Sequence, residues 1–237
     1  GFRSHQTVDY ENASTYRIFA VGGSTTEEIY VDDEETWTSL LSIGLSTSLS
    51  QTVEVINTGV SGLRAEHHLA TMISTEKYHP DGYVFLIGVN DWVENIRDNF
   101  SGYFDGIFVA HDTLLWEGLS ALKVLLWHSS VEYNETGITD VYGDYYSKQN
   151  DSLTKADIRR FFPETISPKY KKALDKIIKR CNENKYFCMF VTQPSAYSKN
   201  LTNELRKRLW MTPPNEDYTL DLDSLIWIAS LYNKKLS

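Results

Sequence analysis

Four short runs rich in β-branched and aromatic residues recur along the chain, and each ends at once in turn residues. They are 16–21 (YRIFAV), 53–56 (VEVI), 83–87 (YVFLI) and 186–192 (YFCMFVT). Runs this short and this apolar suit strands buried on both faces, which belong to parallel sheets. The segments between and after them carry helical spacing. Tyr170, Ala173, Leu174, Ile177, Ile178 and Cys181 follow the i, i+3, i+4, i+7 pattern. Leu222, Leu225, Ile226, Ala229 and Tyr232 do the same, and Trp37, Leu40, Leu41, Leu45 and Leu49 fall broadly along one side of 36–49. Strand alternating with helix predicts an α/β fold, a three-layer parallel sheet with helices on both faces.

The rhythm breaks between about residues 98 and 165, where Tyr, Trp, Asp and Asn accumulate around one apolar helix, LLWEGLSALKVLLW. This stretch reads as an insertion after the third strand, within one domain spanning 1–237. It is expected to lie over the carboxyl ends of the strands, where open α/β sheets bind ligands.

Charge narrows the partners. Thirty-two acidic against 23 basic residues give a formal net charge of -9, which repels phosphate backbones and argues against nucleic acid. The cluster Lys169, Lys171, Lys172, Lys176, Lys179 and Arg180 reads as the solvated face of an amphipathic helix. No apolar run reaches the roughly 18–20 residues of a membrane span. The acidic run Asp32–Glu35 reads as helix N-terminal acids favoured by the dipole, not as a metal site. Cys181 and Cys188 either pair across CNENKYFC or serve as two small core residues. Asn-x-Ser/Thr sequons begin at Asn12, Asn99, Asn134, Asn150 and Asn200 and matter only in a eukaryotic secretory pathway. The opening Gly-Phe-Arg has neither Met nor a basic–apolar leader, so a chain trimmed from a longer precursor is expected.

Three loops follow three successive strands: GGSTT at 22–26, NTGVSGLRAEHH at 57–68 and GVNDW at 88–92. In a parallel sheet such loops share one edge, so Ser24, Gly62 and Asn90 are expected to converge. Alone, each has a plainer explanation: a turn, a tight bend, a helix cap. GGSTTEE lacks the Lys of a P-loop and the third glycine of the dinucleotide fingerprint.

Taken together and in this order, the three loops resemble the blocks of the SGNH hydrolases, also called GDSL-type esterases and lipases. VGGSTTEE is similar to the first block, which puts the nucleophile at Ser24. NTGVSGL resembles the second, with its glycine at Gly62, and GVNDW the third, with its asparagine at Asn90. VTQPSAY at 191–197 stands where the fourth strand ends in that family. The resemblance implies a flavodoxin-like sheet of order 2-1-3-4-5 and hydrolysis of a small-molecule, glycan or lipid ester through an acyl-serine, without metal or cofactor. The backbone N–H groups of Ser24 and Gly62 and the Asn90 carboxamide would form the oxyanion hole, with Gly23 and Asp91 supporting it. A serine at the start of a helix would also gain from the dipole. Passing the acyl group to a sugar hydroxyl would make the same machinery an O-acyltransferase. The resemblance also makes export the expected localisation: secreted, periplasmic or membrane-anchored.

One part of that pattern does not occur. Serine needs a base, which the family carries as a histidine in Asp-x-x-His near its C-terminus. Residues 1–237 contain no Asp-x-x-His, and the last histidine is His128. The expectation is that the chain stops inside the helix before the fifth strand. His67 and His68, in the helix after Gly62, are the nearest substitutes. His79, His111, His128 and His5 read as surface or core residues. A second function class stays open: a catalytically silent binding module whose aromatic platform is drawn from Trp92, Trp116, Trp127, Tyr142, Tyr145 and Tyr146.

Overall fold

The computed structural model describes residues 2–3, 10, 14–100, 157–209 and 218–236. The main sheet contains β1 (Tyr16–Gly22), β2 (Val53–Asn57), β3 (Gly82–Leu86) and β5 (Phe187–Val191), all parallel, in the order β2-β1-β3-β5. These are the four runs read from the sequence, each end within one residue, in the 2-1-3-4 part of the expected order. A second pair was not anticipated: β4 (Ile158–Arg159) lies parallel to β6 (Thr219–Leu220). The apolar helix, the Trp116 and Trp127 positions and most of the insertion lie outside the described residues.

Helices connect and cover the strands: α1 (Ser24–Glu27), α2 (Trp37–Leu49), α3 (Ala65–Thr75), α4 (Val89–Phe100), α5 (Pro168–Asn184), α6 (Asn203–Arg208) and α7 (Leu222–Leu236). One sheet face, with Phe19, Val21, Tyr83, Phe85 and Ile87, packs against α3, α4, α5 and α7. The other face, with Ile18, Ala20, Val53, Val55 and Val84, meets Trp37, Leu41 and Leu45 of α2. Strand β5 forms one edge, and its Phe187 and Met189 are 46% and 47% exposed.

The predicted apolar side of α2 holds at Trp37, Leu41 and Leu45 and needs correction at Leu40 and Leu49. Leu40 and Leu49 are 59% and 60% exposed, while Thr38, Ser39 and Ser42 are buried. The reason is the neighbouring edge strand. Ser42 Oγ donates to the Val53 carbonyl (2.7 Å) and accepts from Val55 N (3.3 Å). Ser46 Oγ donates to the same carbonyl (3.1 Å) and accepts from Val53 N (3.0 Å). Small hydroxyl side chains let the helix approach closely and pair the outward backbone groups of β2, which an edge strand otherwise leaves open.

The acidic run stands just before α2, as expected, though outside its first turn. Asp32–Glu35 precede the N-cap Thr36, whose side chain accepts from Ser39 N, and the first turn of α2 contains no acid. Asp33 pairs with Arg3 instead (2.6 Å). In α5 the expected register holds except at Ile178, which is 40% exposed. In α7 Leu225, Ala229 and Tyr232 are buried as expected, joined by Ile228, while Leu222 and Ile226 are half-buried. Cys181 and Cys188 form a disulfide with a Cα–Cα distance of 6.2 Å, closing the turn between α5 and β5. No described helix is long and apolar enough to cross a membrane.

Candidate active site

Strand β1 ends at Gly22 because nothing larger fits there. A Cβ at that position would stand 2.1 Å from Thr26 Oγ1 and 2.6 Å from the Leu86 carbonyl. The chain turns at Gly23, whose carbonyl accepts from Thr26 N (3.0 Å) and Glu27 N (2.9 Å). Ser24 is the first residue of α1 and is exposed, while Thr26 is fully buried. Helix α1 spans four residues and stops where Glu28 adopts a left-handed conformation (φ 47°). A single turn aligns few peptide dipoles, so the help expected for Ser24 from a following helix is small.

The loop after β2 is fastened to this turn. Val60 N donates to the Gly22 carbonyl (3.1 Å) and Gly59 N to Asn57 Oδ1 (2.8 Å). The Asn57 amide donates in turn to the Thr26 carbonyl. At Gly59 a Cβ would lie 2.2 Å from Glu27 N, so glycine is what allows backbone to touch backbone. Ser61 N donates to Glu27 Oε2 (2.7 Å). Gly62 is exposed, with φ +79° and nothing within 4 Å of where a Cβ would point. Its requirement for glycine is conformational, and the space beside it is open.

The loop after β3 closes the group. Asn90 Nδ2 donates to the Leu63 carbonyl (2.8 Å). The same nitrogen lies 3.0 Å from where a Cβ of Gly23 would stand. The Asn90 amide therefore sits between the residue before Ser24 and the residue after Gly62. Standard backbone dimensions put the Ser24 Cα within about 8 Å of it. An amide nitrogen carries two hydrogens, and the bond to Leu63 uses one.

Asp91, buried at 6% exposure, accepts from Ala65 N with both carboxylate oxygens (3.2 Å each), which anchors the start of α3. Burial pushes its carboxyl up to about 7. The Ala65 N–H opposes that shift, nearby Glu94 adds to it, and Arg64 works against it.

The histidines occupy other roles. His67 Nδ1 accepts from Arg64 N (3.1 Å), bracing the first turn of α3. His68 is 2% exposed and bonds the Leu63 carbonyl, which also receives Asn90 Nδ2. Burial, with His67 as a lesser cause, brings its imidazole down to about 4, against the pull of the Leu63 carbonyl. His79 precedes β3, at the opposite end of the sheet from Ser24. His5, His111 and His128 lie outside the described residues. Among the described residues no imidazole is hydrogen-bonded to Ser24: His67 accepts from Arg64 N and His68 bonds the Leu63 carbonyl. Nor do the described residues hold a group of three or more His, Cys, Asp or Glu able to bind a metal ion.

Trp92 does not belong to a surface platform: it is 4% exposed and packs edge-on against Tyr232, ring centroids 6.2 Å apart. Tyr142, Tyr145 and Tyr146 lie outside the described residues. What sequence reasoning missed is the support beneath Ser24. Asn57 stands in NTG, where the glycine is the distinctive residue, and Arg3 sits in a stretch without periodicity.

No protein-family model matches the chain, and no curated protein sequence does. Similar solved structures include a mutant of the esterase AlinE4 (14% identity, covering 93% of this chain and 82% of that one, TM-score 0.41). AlinE4 itself is described as an SGNH-hydrolase family esterase. The psychrotrophic esterase EstA from Pseudoalteromonas sp., inhibited by monoethylphosphonate, is 15% identical over 92% of this chain and 96% of that one, TM-score 0.33. A variant of Axe2, an acetyl xylan esterase from Geobacillus stearothermophilus, is 16% identical over 94% of each chain, TM-score 0.33. These are distant similarities in fold, and the reading of the site rests on its own geometry.

Proposed function

We propose that this chain is a serine ester hydrolase acting through an acyl-serine on a small acyl ester of a carbohydrate or lipid. The observation that carries the reading is the Asn90 carboxamide wedged between Gly23 and Leu63, which gathers loops from three strands at one rim. Ser24 Oγ attacks the acyl carbon and its proton passes to a base. The carbonyl oxygen becomes an anion that receives the N–H groups of Ser24 and Gly62 and the second Asn90 N–H. Collapse expels the alcohol, which takes the proton, and leaves the acyl-serine. Water then releases the acid. Each oxyanion donor contributes about 10²–10³ in rate, and Gly23 and Asp91 hold two of them in place.

A second reading has its own support. With no imidazole hydrogen-bonded to Ser24 among the described residues, the fold would serve as a catalytically silent binding module. A fluorophosphonate separates the two. The hydrolase reading expects one adduct on Ser24, lost in Ser24→Ala, together with turnover of a short p-nitrophenyl ester. Absence of both favours the binding module.

A further inference from the structure

A four-residue helix does not hold itself, because nucleating a turn is unfavourable and isolated helices below about 12 residues are marginal. Helix α1 is held by its surroundings, and the carbonyls at its C-terminal end show how. Ser24 O accepts from Glu28 N (3.0 Å), closing the turn. Thr25 O accepts from Trp37 Nε1 (3.2 Å) and Thr26 O from Asn57 Nδ2. The next two carbonyls, of Glu27 and Glu28, both accept from Arg3 Nη1, the second at 2.8 Å. Arg3 Nη2 continues to the Val31 carbonyl (2.6 Å), and Nε reaches Asp33 Oδ1 (2.7 Å), which Nη2 also contacts (2.6 Å).

A guanidinium offers five N–H donors in a fixed fork, and here four hydrogen bonds from it reach the segment 27–33, with an ion pair to Asp33 beside them. Arg3 is itself tied down. Its N donates to the Asn57 carbonyl (3.1 Å) and its carbonyl accepts from Asn57 N (2.9 Å), an antiparallel bridge on the outer edge of β2. Beside it, Phe2 meets Phe19 and Tyr78 edge-on at 5.9 and 5.7 Å.

We infer that Arg3 is a positioning residue for Ser24: its guanidinium clamps the exit of α1 and thereby fixes where the serine hydroxyl points. The inference rests on the reading of Ser24 as nucleophile. Arg3 then acts on the serine through the exit of α1. Lysine does not replace it, since three donors radiating from one nitrogen cannot span carbonyls spread over several residues.

The test compares Arg3→Ala and Arg3→Lys with the parent in the full chain. Amide exchange is expected to accelerate at 24–31 and to stay unchanged in β3 and α5. For a p-nitrophenyl ester, kcat should fall about 10–100-fold with KM little altered, Arg3→Lys recovering only part. Millimolar guanidinium ion should restore activity to Arg3→Ala. Unchanged exchange at 24–31, or faster exchange throughout the sheet, overturns the clamp. So does an equal fall in kcat for Arg3→Ala with and without guanidinium. A parent that neither hydrolyses the ester nor labels at Ser24 defeats the nucleophile reading instead, and the exchange data still decide whether Arg3 holds α1.

Discussion

Gly22 and Gly62 are glycines for different reasons, and substitution tells them apart. Gly22→Ala drives a Cβ against the Leu86 carbonyl, a backbone atom of β3 that cannot rotate away, so a loss of about 3 kcal/mol in urea unfolding is expected. Gly62→Ala meets no atom and suffers only its positive φ, costing about 1–2 kcal/mol. Two buried titrating side chains make a second prediction. Asp91 returns on unfolding to the ordinary carboxylate value near 4, so its native value of about 7 gives stability that is whole below about pH 4 and lost as pH rises to about 7. His68, at about 4 in the native state and near 6.5 unfolded, gives stability present above about 6.5 and lost as pH falls to about 4. The two oppose each other across that window. In Asp91→Asn the urea midpoint should therefore fall on acidification, and in His68→Gln it should rise, with slopes up to about 1.4 kcal/mol per pH unit. Flat profiles in both variants would contradict the burial. At this scale the sequence disclosed residues whose type is restrictive, such as paired glycines at strand ends. Arg3 and Asn57 escaped because an arginine or asparagine fits almost any loop, and only coordinates show how many carbonyls it gathers.

Helix α2 shows where pattern reading fails at the level of elements. Periodicity assumes that the buried side of a helix is its apolar side, yet α2 turns hydroxyls inward alongside Trp37, Leu41 and Leu45 because it pairs the open edge of β2. Ser42→Ala should accordingly cost about 1–3 kcal/mol, the penalty for the Val55 N–H left unmatched, while the Val53 carbonyl keeps Ser46. Leu40→Ser should cost almost nothing. Equal effects in denaturant titrations would argue for the apolar-face reading. The turn between α5 and β5 invites a similar measurement. Its disulfide closes a short loop, so reduction, or Cys181→Ser with Cys188→Ser, is expected to remove about 2.5 kcal/mol. Here the sequence left pairing and burial undecided, since seven-residue separation permits either.

Across the whole molecule, the parallel order β2-β1-β3-β5 sends the ends of three strands to one rim, and the alternation of strand and helix made that arrangement legible before any coordinates. The small parallel pair β4–β6 was illegible, being two residues per strand and joined by contacts distant in sequence. The central claim is that the three loops make one oxyanion site around Ser24. Its most direct measurement is a crystal structure of the chain after reaction with a fluorophosphonate. The account predicts phosphorus bonded to Ser24 Oγ, with the phosphoryl oxygen about 3 Å from Ser24 N, Gly62 N and Asn90 Nδ2. A phosphoryl oxygen turned to solvent, or an adduct on any other residue, would contradict it.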